Sequence, residues 1–308
     1  MRYIPDALIE GFTSAIAVII LVTQIKDALG LPIEKMPADV FGLIRVQAQA
    51  LPQFNGLALL IASGVIGLMA AWQRLSSRTT WAQRIPGSML ALLVFTALAY
   101  TLKLPIETIG SRFGAAFAQF QQWPSLSFPA VPWTQVPQLI IPALTLAVLS
   151  GIESLLCARI ADDMQTNTPK HSPNQELVAQ GMANMAAPLL GALPITGTIA
   201  RTVTNLKSGG RTPISAMVHS ATLLIIMLVA APIAVHIPLA VLAGILIFIA
   251  WNMGDWKALI TLHLRSRASA VVLAVTFVLT LALNLTWGIA GGLIAHALLQ
   301  RFSAQDAT

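Results

Sequence analysis

Residues 193–213 read LPITGTIARTVTNLKSGGRTP. They lie between two apolar stretches, MAAPLLGA (185–192) and ISAMVHSATLLIIMLVAAP (214–232), yet they carry five threonines, a lysine, two arginines and two prolines. Pro194 ends the preceding segment, and Thr196 or Thr198 has the side chain to cap a new helix. From there Thr198, Arg201, Thr202 and Asn205 recur at helical spacing on one face, with Ile199, Val203 and Leu206 on the other. Gly209 and Gly210 then stop the helix. The pattern predicts a short amphipathic half-helix that begins inside a membrane. Its first N–H groups have no partner within the helix, and its N-terminus carries about half an elementary positive charge. Arg201 adds a full charge nearby. Together they make an anion site of the kind that broken helices form in secondary transporters. An arginine at that depth costs at least ~2.5–3.5 kcal/mol, so it needs a partner: an anion, a carboxylate, or a lipid phosphate reached by snorkelling.

Composition places this half-helix in a bilayer. The chain has 308 residues, 56% hydrophobic and only 10% charged, with a mean hydropathy of +0.77. A soluble protein carries roughly 25% charged residues, and so few charges would not cover a soluble surface. The net charge of +6 is not a nucleic-acid footprint. No basic run is interleaved with aromatics, and the basic residues gather in short gaps between apolar segments. A single cysteine, Cys157, excludes an intrachain disulfide. Pro5, Asp6 and Glu10 interrupt the start, so it does not read as a signal peptide. SGGRT (208–212) lacks phosphate-loop spacing, and there is no HExxH, Cys/His cluster or GxSxG. The expectation is a non-enzyme with no cofactor and no metal.

A spanning helix needs about 20 mostly apolar residues. Such spans fall near 6–25, 54–72, 86–102, 138–158, 214–234, 237–252, 267–283 and 285–300. Residues 175–192 are helical in period but only moderately apolar, and 197–206 is too short to cross. Counting each of these as one passage predicts about ten membrane segments. Alternating the loops then puts thirteen of the 18 Lys and Arg residues on one side: Arg2, Arg74, Arg78, Arg84, Arg159, Lys170, Arg201, Lys207, Arg211, Lys257, Arg265, Arg267 and Arg301. Lys26, Lys35, Arg45, Lys103 and Arg112 fall on the other. That bias predicts cytoplasmic termini. The outer loop, about 103–136, contains Trp123 and Trp133, which suit an interface or an ordinary proline-rich surface loop.

A second polar feature is Glu153, deep in TLAVLSGIESLLCARI and flanked by Ser150, Gly151 and Ser154. An intramembrane carboxylate is a candidate coupling-ion site for a proton or sodium, a counter-charge to Arg201, or a neutral structural acid. Asp162 and Asp163 read as a solvated cytoplasmic end. His171 and His219 read as structural or interfacial.

These residues resemble the sulfate-permease (SulP) family of anion transporters. The likeness runs through IESLLCARIADDM (152–164), then NQELVAQGMANMAAPLLGALPITGTIARTVTNLKSGGRTP (174–213), and the N-terminal RYIPDALIEGFTSAIAVIILVTQIKDALGL (2–31) is similar as well. It implies an all-α integral membrane protein built as two inverted halves of seven segments. Some helices form a core that carries substrate and others a gate or scaffold. Substrate lies between two facing half-helices. On that pattern Thr196, Gly197, Thr198, Ile199, Ala200 and Arg201 bind the anion, largely through the backbone, and Glu153 matches the acidic position of the eighth segment. The chain corresponds to segments five to fourteen, a partial seven-plus-seven inverted-repeat fold in a single domain over 1–308. The first four segments, with the partner half-helix, and the STAS domain that usually ends the family pattern are expected to be absent.

The implied function is secondary transport of sulfate, bicarbonate or a carboxylate across a bacterial inner membrane. The implied partners are the anion, a coupling proton or sodium, membrane lipid and a second copy in a homodimer, with no nucleic acid. Two alternatives stand beside it: a nucleobase transporter of the same architecture, and a truncated remnant that does not transport.

Overall fold

A computed structural model describes residues 5–33, 35–37, 39–83, 85–119, 126, 128, 130, 133–165, 169–207 and 209–305. Arg2, Arg84 and Trp123 lie outside them. The described residues form helices joined by short turns, with one isolated bridge between Thr108 and Pro238. Helix α1 (Asp6–Ala28) follows the extended Pro5. Asp39 caps α2 (Val40–Ala50) by accepting from the Gly42 N–H at 2.6 Å. Asn55 caps α3 (Gly56–Ser76) by accepting from the Leu57 and Ala58 N–H groups. Short α4 (Thr80–Gln83) precedes α5 (Gly87–Thr101) and α6 (Ile109–Gln119). Then come α7 (Val136–Met164), α8 (Pro173–Ala186), α9 (Ile199–Lys207) and α10 (Pro213–Val229). The last five are α11 (Ala231–Ala234), α12 (Leu239–Met253), α13 (Trp256–Ile260), α14 (Arg267–Ala282) and α15 (Leu285–Gln305).

This is an all-α, multi-pass membrane fold. Helices α1, α3 and α7 are long and apolar enough to cross a bilayer, while α5, α10, α12, α14 and most of α15 are apolar but shorter. Each strong span in the sequence became one of these eight. The weak pair became α8, of 14 residues, and α9, of nine. At 1.5 Å per residue they are about 21 and 14 Å long, short of a hydrocarbon core of about 30 Å. Besides the short α4, α11 and α13, two helices were not foreseen. Helix α6 occupies part of the stretch read as an outer loop, and α2 falls between predicted spans. Both are amphipathic rather than uniformly apolar, so a search for continuous apolar runs passes over them. Trp133 stands exposed in the turn before α7.

The chain divides into two compact units, residues 1–114 with 232–308, and residues 115–231. In the first, α1 packs on α12 and α14, α14 on α15, α12 on α3, and α3 on α5. Lipid tails are as apolar as leucine, so such contacts depend on close fit and internal hydrogen bonds. Gly244 shows the fit: a Cβ there would lie 2.8 Å from the Ala62 carbonyl oxygen, so only glycine lets α12 come this close to α3. Ala58, Ile61, Val65 and Val241 are buried around the contact. The buried hydroxyls of Thr276 and Thr280 donate back to the Val272 and Thr276 carbonyls, at 2.8 and 2.7 Å. Two loop charges of the sequence reading are paired here: Arg265 with Glu10, and Arg112 with Asp27 at 2.6 Å.

In the second unit, α8 and α9 both pack on α7. Large apolar side chains of α7 and α10, among them Ile141, Leu144, Met217 and Ile225, are exposed. Asp162 corrects the sequence reading. It is not a freely solvated end: its carboxylate lies 2.7 Å from His171 Nδ1 and accepts from the His171 backbone N–H, so a residue just ahead of α8 covers it. Asp163, one residue on, is exposed.

Candidate functional site

Helix α9 starts where the sequence places it, at Ile199, and the Thr202 N–H closes its first turn on the Thr198 carbonyl at 3.0 Å. It ends where Gly209 takes φ +94°, a conformation glycine adopts without strain. Among the described residues, the N–H groups of Gly197, Thr198 and Ile199 donate no hydrogen bond. They form a short row of free backbone donors at the positive end of a helix.

Three contacts seat this row against α7. The Thr196 hydroxyl donates to the Ser150 carbonyl at 2.9 Å. Gly197 is pressed onto α7 so closely that a Cβ would meet Cys157 Cβ at 3.1 Å and Ser154 Cα at 3.2 Å. Cys157 Sγ and the Thr202 hydroxyl are 3.0 Å apart. Ser150, Ser154 and Cys157 recur at i, i+4 and i+7, so they share one stripe of α7. Glu153 is three residues after Ser150 and four before Cys157, which puts it on the same stripe. It is half-buried and takes part in no hydrogen bond or ion pair among the described residues.

Helix α8 supplies the part that the sequence reading missed. Of residues 173–186, only Glu176, Gln180 and Asn184 are not exposed. They repeat every four residues and face the protein, while Val178, Met182 and Met185 face outward and Leu177 lies partly against Gly151 of α7. The helix is inside-out: its covered side is polar and its uncovered side apolar. Glu176 accepts a hydrogen bond from the Ser154 hydroxyl of α7. Gln180 donates to the Ile195 carbonyl. Asn184 pairs with both sides of the same residue, donating to the Ile195 carbonyl at 2.9 Å and accepting from the Ile195 N–H at 2.8 Å. The signal was visible in NQELVAQGMAN, where polar residues with side-chain donors or acceptors sit at i, i+4 and i+8 in a moderately apolar segment.

The structure therefore seats Thr196 and Gly197 on one stripe of α7, with Thr198 and Ile199 next in the chain, and helical spacing places Glu153 on that stripe. Ala200 continues the first turn of α9. Arg201 is exposed, and its guanidinium donates to the Thr198 hydroxyl at 3.1 Å. The counter-charge role considered for Glu153 is not realised, since the described residues contain no ion pair between it and Arg201. The polar face of α9 is also divided among partners. Thr202 turns to Cys157, and Asn205 accepts from the Ser215 hydroxyl at the start of α10.

The sequence model of the sulfate permease family matches residues 1–276. The chain belongs to the sulfate permease family. A protein named "Putative sulfate transporter YvdB" from Bacillus subtilis is 40% identical over 297 residues, covering 96% of this chain and 54% of that protein. The bicarbonate transporter BicA of Synechocystis is 32% identical over 304 residues, covering 97% of this chain and 51% of that one. Among solved structures, the transmembrane domain of a cyanobacterial bicarbonate transporter BicA superposes with a TM-score of 0.71 at 28% identity, covering 95% of this chain and 69% of that domain. The chain spans about half the length of the curated relatives it matches. The motif stretches 152–164 and 174–213 lie wholly within the sulfate permease match. They supply the C-terminal part of α7, nearly all of α8 and all of α9, the three helices that build this site.

Proposed function

We propose that this sulfate permease chain carries out secondary transport of a small inorganic anion, sulfate or bicarbonate, and that the anion binds at the start of α9. The observation that carries this reading is the row of free N–H groups at Gly197, Thr198 and Ile199, held at a helix N-terminus against α7. Backbone donors there favour an anion without asking for a particular shape. Arg201, one turn on, adds positive charge, and a discontinuous helix meeting substrate in this way is a recurrent transporter device. The relatives' names, a sulfate transporter and a bicarbonate transporter, point to the same class of cargo.

Glu153 is the coupling site in this scheme. A half-buried carboxylate without a partner, on the α7 stripe that seats the substrate donors, suits a proton or a sodium ion that enters with the anion. We place the chain as a single transmembrane domain equivalent to segments five to fourteen of a seven-plus-seven inverted repeat. It contributes about ten membrane segments, with α9 as the half-helix. The thirteen-to-five distribution of Lys and Arg supports cytoplasmic termini in a bacterial inner membrane, and the protein works as a homodimer surrounded by lipid.

The test is uptake by the protein reconstituted in liposomes, with labelled sulfate, labelled bicarbonate and labelled uracil supplied separately under imposed proton and sodium gradients. Saturable, gradient-driven uptake of sulfate or bicarbonate is the expected result. Uptake of uracil alone would move the protein to nucleobase transport, and uptake of none of the three would remove the transport reading.

A further inference from the structure

We propose that Asn184, seconded by Gln180, is the positioning residue of the anion site, holding the Ile195 backbone so that α9 begins where its free donors can meet the substrate. This rests on the anion-site reading above. Asn184 does not touch the donors themselves. Its side-chain amide pairs with the Ile195 N–H and C=O at once, at 2.8 and 2.9 Å, as a neighbouring strand would. Two parallel bonds fix the rotation of a residue as well as its place, which one bond does not. Gln180 adds a second donor to the same carbonyl.

Ile195 is the right residue to hold. Pro194 before it has no N–H to anchor the chain. Thr196 after it is tied to α7 only through its hydroxyl. The Gly197 donor follows two residues later, so a shift or twist at Ile195 passes directly into the row. The rest of α8 supports this division of labour. Its three covered residues are all polar, and two of them spend their side-chain donors on this one carbonyl. Glu176 fastens the helix to α7 at Ser154, the residue whose Cα presses on Gly197. Helix α8 thus acts as a brace between α7 and the entry to α9.

The experiment compares wild type, Asn184→Ala, Asn184→Gln and a control, Met182→Ala, whose side chain is on the exposed face of the same helix. Two readouts are taken on the reconstituted protein. One is the KM and Vmax for labelled sulfate and labelled bicarbonate. The other is amide hydrogen exchange over the peptide containing 195–203, which does not depend on transport. Asn184→Ala should raise KM about tenfold, consistent with the loss of two hydrogen bonds, with Vmax changed much less. The same variant should speed exchange by a similar factor at the Ile195 amide, which loses its acceptor, and at the Thr202 amide, whose bond to the Thr198 carbonyl closes the first turn of α9. Asn184→Gln should recover part of both, and Met182→Ala should change neither. Unchanged exchange in Asn184→Ala overturns the proposal, and so does faster exchange with an unchanged KM. If wild type takes up neither anion, the transport reading fails on its own, and exchange alone then decides whether Asn184 holds Ile195. Should Asn184→Ala not fold, Gln180→Ala provides the same test. It removes one donor and leaves the Asn184 pair in place, so smaller changes in the same direction are expected, and no change in either readout overturns the proposal.

Discussion

Gly197→Ala is the smallest change that tests whether the start of α9 must lie flat against α7. The added Cβ would sit 3.1 Å from Cys157 Cβ, 3.2 Å from Ser154 Cα and 3.4 Å from Cys157 Sγ. Ordinary carbon–carbon contacts lie at about 3.5–4.0 Å, so two of the three are short by a few tenths of an ångström. Ser154 Cα belongs to the backbone of a 29-residue helix and does not yield by a rotamer change. The loop at 196–198 moves instead, away from α7. Inserting one methyl into a close-packed contact costs about 1–3 kcal/mol. If the anion must push the loop back to bind, that cost appears as a loss of affinity of roughly 5- to 140-fold. The assay is the concentration dependence of labelled sulfate and bicarbonate uptake in liposomes, paired with thermal unfolding to follow stability. Gly181→Ala in α8 is the control. A Cβ there meets nothing within 4 Å, and alanine is the better helix former by about 0.8–1 kcal/mol, so stability should hold or rise with no change in affinity. Wild-type affinity in Gly197→Ala would refute the reasoning, because it would mean that contact with α7 does not set the donor row.

Three further outcomes follow from the same geometry. Glu153→Gln keeps the size of the side chain and removes its charge, so the protein should insert normally and lose gradient-driven accumulation; concentrative uptake near the wild-type level would take Glu153 out of the mechanism. Arg201→Gln should raise the anion KM without a matching loss of expression, and Arg201→Lys should retain part of the affinity because the charge remains; equal KM values in wild type and Arg201→Gln would remove the arginine from the site. For topology, cysteines placed at the exposed Arg78 and Thr134 should react with an impermeant reagent from opposite sides of the membrane, in a background where the native Cys157 is buried; labelling of both from one side would contradict the charge distribution.

Much of this protein was legible in order of sequence. Apolar runs of spanning length became the eight apolar helices, because hydropathy over about 20 residues is a property of the chain itself. The beginning and end of α9 were also readable. A proline, two threonines and a pair of glycines are local signals whose meaning does not depend on the partner helix. Glu153 stood out for the same reason, as a charge where apolar residues surround it.

What neighbours decide was not readable. Periodicity shows which side chains share a face of α8, but not which face looks inward. In water the apolar face turns in. In a bilayer the outside is apolar too, so α8 turns its Glu176, Gln180 and Asn184 face inward and its Val178, Met182 and Met185 face outward. Arg201 and Glu153 invited pairing as opposite charges in one apolar region, yet only the three-dimensional path of α7 and α9 shows that they form no ion pair. The necessity of glycine at 197 is likewise a fact about Ser154 and Cys157, more than 39 residues earlier in the chain. The sequence by itself determined a helical membrane protein with a broken helix in its motif. The tertiary structure decided which polar groups are spent on holding that break in place and which stay free, because hydrogen bonds and close contacts between distant residues depend on distances in space that spacing along the chain does not contain.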